Sequence, residues 1–296
     1  MTNQNNNHSL QYKNPGEFAD YTFKSSTIFR INGNILYQGE NENEFRLNLI
    51  ETGTNNKFEI ITSNTKSSSG FDFFGEFNAL IKDMVEIKNH VLLTTDTKGQ
   101  LLELLNKEEW NNKWNGLKKQ MEFYKSFKGL TAEQKEEIIK NGDKEYSPEY
   151  SNITDLEKSS FYRFLFAPIY DTKYTLKDKI VLKDETEPSG ILKSFQLPCQ
   201  SYIELDSYDS ESKEGTLIKR HNLDLSLLDE AAVKMLFKQD YPFVSEEYKR
   251  YTYDQFTAYV IDFSSGFIKS IKNSSYEAIN SVIEIESENE ILMSNL

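Results

Sequence analysis

Cysteine is almost absent: Cys199 stands alone in 296 residues, which excludes an intrachain disulfide and any cysteine-based metal cluster. Histidine is nearly as scarce. His8, His90 and His221 never fall at His-x-x-x-His or His-Glu-x-x-His spacing, so the usual zinc hydrolase has no ligand set here. Five arginines (Arg30, Arg46, Arg163, Arg220 and Arg250) leave few places for forked recognition of phosphate or carboxylate. Positive charge is short overall, with 34 Lys and Arg against 47 Asp and Glu, a net charge of −13 and a pI near 4.9. Such a balance argues against nucleic-acid binding, which needs a concentrated cationic face. Glycine-rich phosphate cradles and the Gly-x-Ser-x-Gly elbow are missing, and neither metal nor cofactor is expected. No apolar run approaches the ~20 residues of a membrane-spanning helix. Residues 1–14 are polar and Asn-rich, without the cationic and apolar regions of a secretory signal. Read as a native start, they place the protein in the cytoplasm.

Aromatic residues are plentiful. Seventeen Tyr and 20 Phe compensate for a hydrophobic fraction of 38%, and the length suits two ordinary domains or one large one. Three glycine turns punctuate the chain: Asn32-Gly33-Asn34-Ile35, Asp96 to Leu101, and Asp262 to Ile268. The last two agree further, since Gly99 is followed by Leu101, Leu104 and Asn106, and Gly266 by Ile268, Ile271 and Asn273. Glycine beside Asp, Asn or Ser supplies the positive φ of a tight hairpin.

Around these turns the pattern predicts strands over 21–31, 35–37, 45–50 and 58–61, a helix near 71–83, and strands over 85–95 and 100–105. Asn106 with Glu109 has capping-box spacing ahead of an apolar stripe carrying Trp110, Trp114, Leu117 and Met121. Thr131 with Gln134 opens a shorter helix. The polar stretch 143–154, with Pro148, is the best boundary. Strands return over 174–182, 191–197, 201–205 and 216–223, a helix starts near Ser226 and Asp229, and strands over 252–263, 267–271 and 282–285 follow. The expectation is therefore α+β, with mainly antiparallel, meander-type sheets and packed helices. The paired turns raise two related halves, 15–146 and 147–288, between a disordered tail (1–14) and a frayed acidic one (289–296).

Candidate chemistry is thin. Cys199 is the one thiol nucleophile available, and neighbouring strands could bring His221 to it. Structural burial is the commoner fate of such a cysteine. Asp206, Asp209, Glu211 and Glu214 crowd one turn without the order of an EF-hand loop, and read as a solvated acidic loop. Phe73, Phe77, Phe161 and Phe164 could line a sheet–helix cleft for an apolar ligand, although core packing is the more frequent role. Trp110 and Trp114 are the candidates for a partner-binding face.

The run Thr257-Ala258-Tyr259-Val260-Ile261-Asp262 with Ser264-Ser265-Gly266-Phe267-Ile268 resembles the Asp-x-x-Gly hairpins of bacterial cell-envelope proteins, including lipoprotein carriers. The segment from Leu92 to Asn106, followed by a Trp-bearing helix, is similar to uncharacterised α+β proteins of Bacteroidetes-type bacteria. Neither resemblance brings a functional residue with it. The leading expectation is a soluble, acidic, non-enzymatic protein of a bacterium, an immunity- or inhibitor-like protein or an assembly component, that binds another, basic protein. A carrier of an apolar ligand and an unrecognised hydrolase using Cys199 and His221 are the alternatives.

Overall fold

Buried and exposed residues alternate along most of the strands, and the strands join into one sheet. The computed structural model describes residues 7–69, 78–150 and 153–294. A first meander comprises β2 (Phe18–Ile31), β3 (Asn34–Glu51), β4 (Asn55–Ser69), β5 (His90–Asp96) and β6 (Leu101–Leu104). A second comprises β8 (Lys179–Pro188), β9 (Gln196–Tyr208), β10 (Glu214–Leu223), β11 (Tyr251–Asp262), β12 (Ile268–Ile279) and β13 (Ile283–Met293). The last strand, β13, pairs with the first long one, β2, so the two meanders form a single 11-stranded antiparallel sheet with β6 and β8 at its edges. A separate two-stranded sheet pairs β1 (His8–Leu10) with β7 (Thr172–Tyr174).

Between the edges the chain crosses as helices: α2 (Lys107–Gln120), α3 (Lys125–Lys128), α4 (Ala132–Glu145), α5 (Ile153–Lys158) and α6 (Ser160–Leu165). They pack, with α1 (Asn78–Glu86), on the face to which Tyr21, Phe23, Phe45, Leu47, Phe58 and Ile60 point. At the other end of the same face, α7 (Glu230–Asp240) covers Ile31, Ile279 and Ile283 with Val233 and Phe237. A polar belt separates the two cores. Its central row runs from Asn41 through Ser25, Asn289 and Asn273 to Thr257. Asn289 donates to the Asn273 Oδ1 (3.1 Å), and the Asn273 Nδ2 donates to the Thr257 hydroxyl (2.9 Å).

That belt explains two departures from the pattern reading. Residues 38–44 and 286–290 lack apolar alternation, yet both are continuous strand, because each is polar on both faces where it crosses the belt. The expected frayed tail is therefore a central strand as far as Met293, and the Ser294 amide donates to the Asp20 carbonyl (2.7 Å). The boundary near 147 divides the chain but not the sheet. Residues 191–195, expected as strand, form a loop tied to the buried Glu277 carboxylate, which accepts from the Gly190 amide (2.8 Å), the Ser189 hydroxyl (2.5 Å) and the Tyr251 hydroxyl. The strand expected from 85 begins at His90, since α1 runs to Glu86; residues 71–77 of the expected helix lie outside the described residues.

Residues 8–12, expected as part of a disordered tail, belong to the fold. Leu10 and Tyr12 are buried, and the Tyr12 ring stacks on Tyr170 with centroids 4.1 Å apart. Tyr170 explains why two glycine turns look alike. Its amide donates to the Lys98 carbonyl and its hydroxyl donates to the Gly266 carbonyl, both at 3.0 Å. In a flat sheet β5 and β12, five strand spacings apart, would stand about 24 Å from one another. One tyrosine reaches both tips only because the sheet curls toward its covered face. Counted from the β2–β13 seam, however, the two turns occupy different positions, so strand order does not carry the likeness of the halves. The Asn32-Gly33 turn, with positive φ at both residues, is the type I′ hairpin that its sequence implies.

Candidate functional site

Cys199 and His221 lie on adjacent strands, but the register sets Ser201, not Cys199, opposite His221. The Ser201 Oγ is 2.7 Å from the His221 Nδ1, and a Glu187 carboxylate oxygen stands 3.8 Å from the same nitrogen. Arg163, from α6, donates to the other Glu187 oxygen at 2.6 Å. This resembles a serine–histidine–acid set only in membership. A relay needs the acid and the hydroxyl on opposite ring nitrogens, and here both face Nδ1. Burial, reinforced by Lys219 and Arg163, pushes His221 down to about 3, so the ring is neutral beside the Ser201 hydroxyl. Burial likewise raises the Glu187 carboxyl, against the pull of Arg163 and Lys219. Cys199 is pushed up to about 12 by burial and by Glu187, and its thiol donates to the Leu197 carbonyl at 3.4 Å. A thiol held that firmly protonated is a poor nucleophile. The cluster knots β8, β9, β10 and α6 together inside the covered face.

The other sequence candidates are also placed by packing. Phe161 sits edge-on to Phe45 at 4.4 Å and Phe164 is buried in the same core; Phe73 and Phe77 lie outside the described residues. Trp110 and Trp114 face inward from α2 and are buried, which removes them as a partner surface. Trp110 donates from its indole to the His90 carbonyl (2.8 Å) and Trp114 to Asp143 (2.8 Å). His90 joins three elements, with Nδ1 2.7 Å from Glu109 of α2 and Nε2 3.1 Å from Glu59 of β4. Burial alone would raise the Glu109 carboxyl, but hydrogen bonds from Lys113, Asn106 and His90 outweigh it and hold the group at about 2. In the acidic loop Asp206 is paired with Lys177 and Glu214 with Lys269, and no group of three or more metal-ligating side chains occurs among the described residues.

The opposite face of the sheet is a different surface. No helix among the described residues covers its middle, and there a cavity of about 710 Å³ opens, lined by strand residues alone, chiefly those whose side chains are on this face together with belt residues such as Asn41 and Asn289. Its side chains lie in transverse rows. One row alternates in sign across five strands, Lys66–Glu42–Lys24–Glu290–Lys272, with Glu42 2.9 Å from Lys66 and 3.6 Å from Lys24, and Glu290 3.3 Å from Lys272. The next row reads Glu40–Ser26–Glu288–Ser274–Phe256. Its two carboxylates have no ion-pair partner among the described residues. Phe256 ends the row with the Arg220 guanidinium 4.7 Å above its ring. Pattern reading missed this site because its strands show no apolar face at this level. The available signal was two polar runs, 38–44 and 286–290, each flanked by clear strand.

No family model matches the chain, and no curated protein matches it in sequence. Among solved structures, it is similar to a chain of a structure titled "Lipid-protein interactions in lipovitellin", with a TM-score of 0.51 and 12% identity. The match covers 95% of this chain and 25% of the other, so this chain spans about a quarter of that neighbour's length. What the two share is the fold.

Proposed function

We propose that this is a non-enzymatic binding protein that engages a basic protein partner through the uncovered face of its sheet. The observation that carries this reading is the strand-lined cavity of about 710 Å³, whose Glu40 and Glu288 carboxylates have no ion-pair partner among the described residues. A net charge of −13 adds a long-range field that would steer a basic partner onto such a face. Binding should be measured by affinity capture on the immobilised protein, with quantified release in salt steps from about 50 mM to about 300 mM. The expected outcome is a loss of affinity of about tenfold or more over that range. Retention indifferent to ionic strength would overturn the electrostatic reading.

The two alternatives have less behind them. The lipovitellin structure concerns lipid–protein interactions, but the cavity here is walled by charged, hydroxyl and amide side chains with one aromatic ring, a poor match for an acyl chain. The described phenylalanines of the sheet–helix layer are packed core. A hydrolase using Cys199 would need an ionisable, accessible thiol, whereas this one is buried and raised to about 12.

A further inference from the structure

We propose that the open-face cavity seats an extended basic segment of a partner protein, two of whose lysine or arginine side chains reach Glu40 and Glu288. This rests on the reading of the protein as a binder of a basic partner, and adds where that partner's chain lies. Glu40 and Glu288 are exposed, point to the same face, and stand on strands either side of β2 with Ser26 between them. Two strand spacings set their attachment points about 10 Å apart. The lysines of the adjacent row are already committed: Lys24 and Lys66 to Glu42, and Lys272 to Glu290. The cavity therefore sets a row of three lysines and two glutamates, all ion-paired, beside a row whose two carboxylates have no ion-pair partner among the described residues. Phe256, at the end of that row, already carries one guanidinium on its ring.

An extended peptide fits this spacing. Residues i and i+2 of a strand point the same way about 6.8 Å apart, and flexible lysine stems span the remainder. A helical segment would present its i and i+4 side chains closer together. The Ser26 and Ser274 hydroxyls, between and beside the carboxylates, can each donate to or accept from a partner's backbone.

The test uses the full chain and a labelled synthetic peptide, acetyl-Thr-Lys-Thr-Lys-Thr-amide, followed by fluorescence anisotropy at low salt. Wild type should bind it saturably, and the E40Q/E288Q variant should bind about 5- to 30-fold more weakly. An E133Q/E136Q variant removes the same charge from the exposed face of α4 and should stay within about twofold of wild type. Both Glu40 and Glu288 are exposed and without an ion-pair partner among the described residues, and matching thermal melts will show that the fold is intact. Equal weakening by the two variants, or wild-type binding by E40Q/E288Q, overturns the site. If E40Q/E288Q still captures a basic protein in a salt-dependent way, the cavity assignment falls while the binding function stands. If wild-type capture is insensitive to salt, the function reading falls on its own.

Discussion

Two glycines with the same turn chemistry carry different loads from a third inside a helix. Gly99 and Gly266 have φ of +96° and +87°, and a methyl group added at Gly266 would lie 2.3 Å from the Gln11 carbonyl oxygen. At Gly99 it would lie 2.8 Å from the Tyr170 ring. Gly116, in the interior of α2, has nothing within 4 Å of such a methyl. Urea denaturation should therefore show Gly266→Ala and Gly99→Ala each destabilised by about 2 kcal/mol or more, and Gly116→Ala stabilised by about 0.5–1 kcal/mol. His221 makes a second case at this scale. Its folded value of about 3 lies below the ordinary 6.5 of the unfolded chain. Between those values the unfolded state binds a proton that the folded state refuses, so stability falls as pH drops from about 6.5 to about 3. Glu109, held at about 2 against an ordinary 4.5, adds to the acid loss below about pH 4.5, while the raised Glu187 works the other way. Urea midpoints followed against pH should decline through this window in wild type and decline less in His221→Gln.

Elements were legible where one face is dry and the other wet. Thr131 and Gln134 form the capping box that their spacing implies, the Thr131 hydroxyl accepting from the Gln134 amide and the Thr131 amide donating to the Gln134 side chain. Asn106 and Glu109 have the same spacing and a different use. The Asn106 side chain accepts from the Leu92 amide (2.9 Å) and donates to the His90 carbonyl (2.9 Å), so it stitches α2 to β5 and caps no helix amide. Spacing alone cannot separate these outcomes, because the competing partner arrives from another strand. Thr131→Ala should therefore cost about 1 kcal/mol, as a lost cap. Asn106→Ala strands a backbone N–H at the sheet and should cost about 1–3 kcal/mol. Amide exchange at Leu92 should accelerate in the second variant and not in the first. The long strands β3 and β13 were legible only in part. Their apolar ends follow the pleat, but between them Glu40, Asn41, Glu42 and Asn43, and Glu286 to Glu290, are polar on both faces, and alternation has no contrast to show. The candidate site lies in those stretches, which is why it escaped a reading built on apolar periodicity.

At the scale of the whole molecule, the start and end of the described chain both hold the sheet together. β13 is the seam between the meanders, pairing with β2 from Ile283–Ile31 to Met293–Tyr21. Without it the two meanders would present two long unpaired edges, with backbone N–H and C=O groups open to aggregation. The N-terminal segment closes the curl from the other side. Tyr12 packs against Phe58 of β4, Tyr170 and Phe267, and the Lys13 amide donates to the Ser265 carbonyl at the β11–β12 tip. A division into halves at 146/147 would thus separate β2 from β13 and leave Tyr12 without Phe267 and Tyr170. Fragments 15–146 and 147–288 made alone should each lack a cooperative urea transition, whereas the whole chain should unfold in one step by fluorescence and circular dichroism alike. Removing residues 1–13 tests the other closure. Leu10 and Tyr12 together bury two large side chains, whose loss should cost about 3–6 kcal/mol. The trimmed chain should melt earlier and bind an apolar dye at the exposed Phe58–Tyr170 surface; an unchanged melt would show that the curl of the sheet is maintained by its own strands.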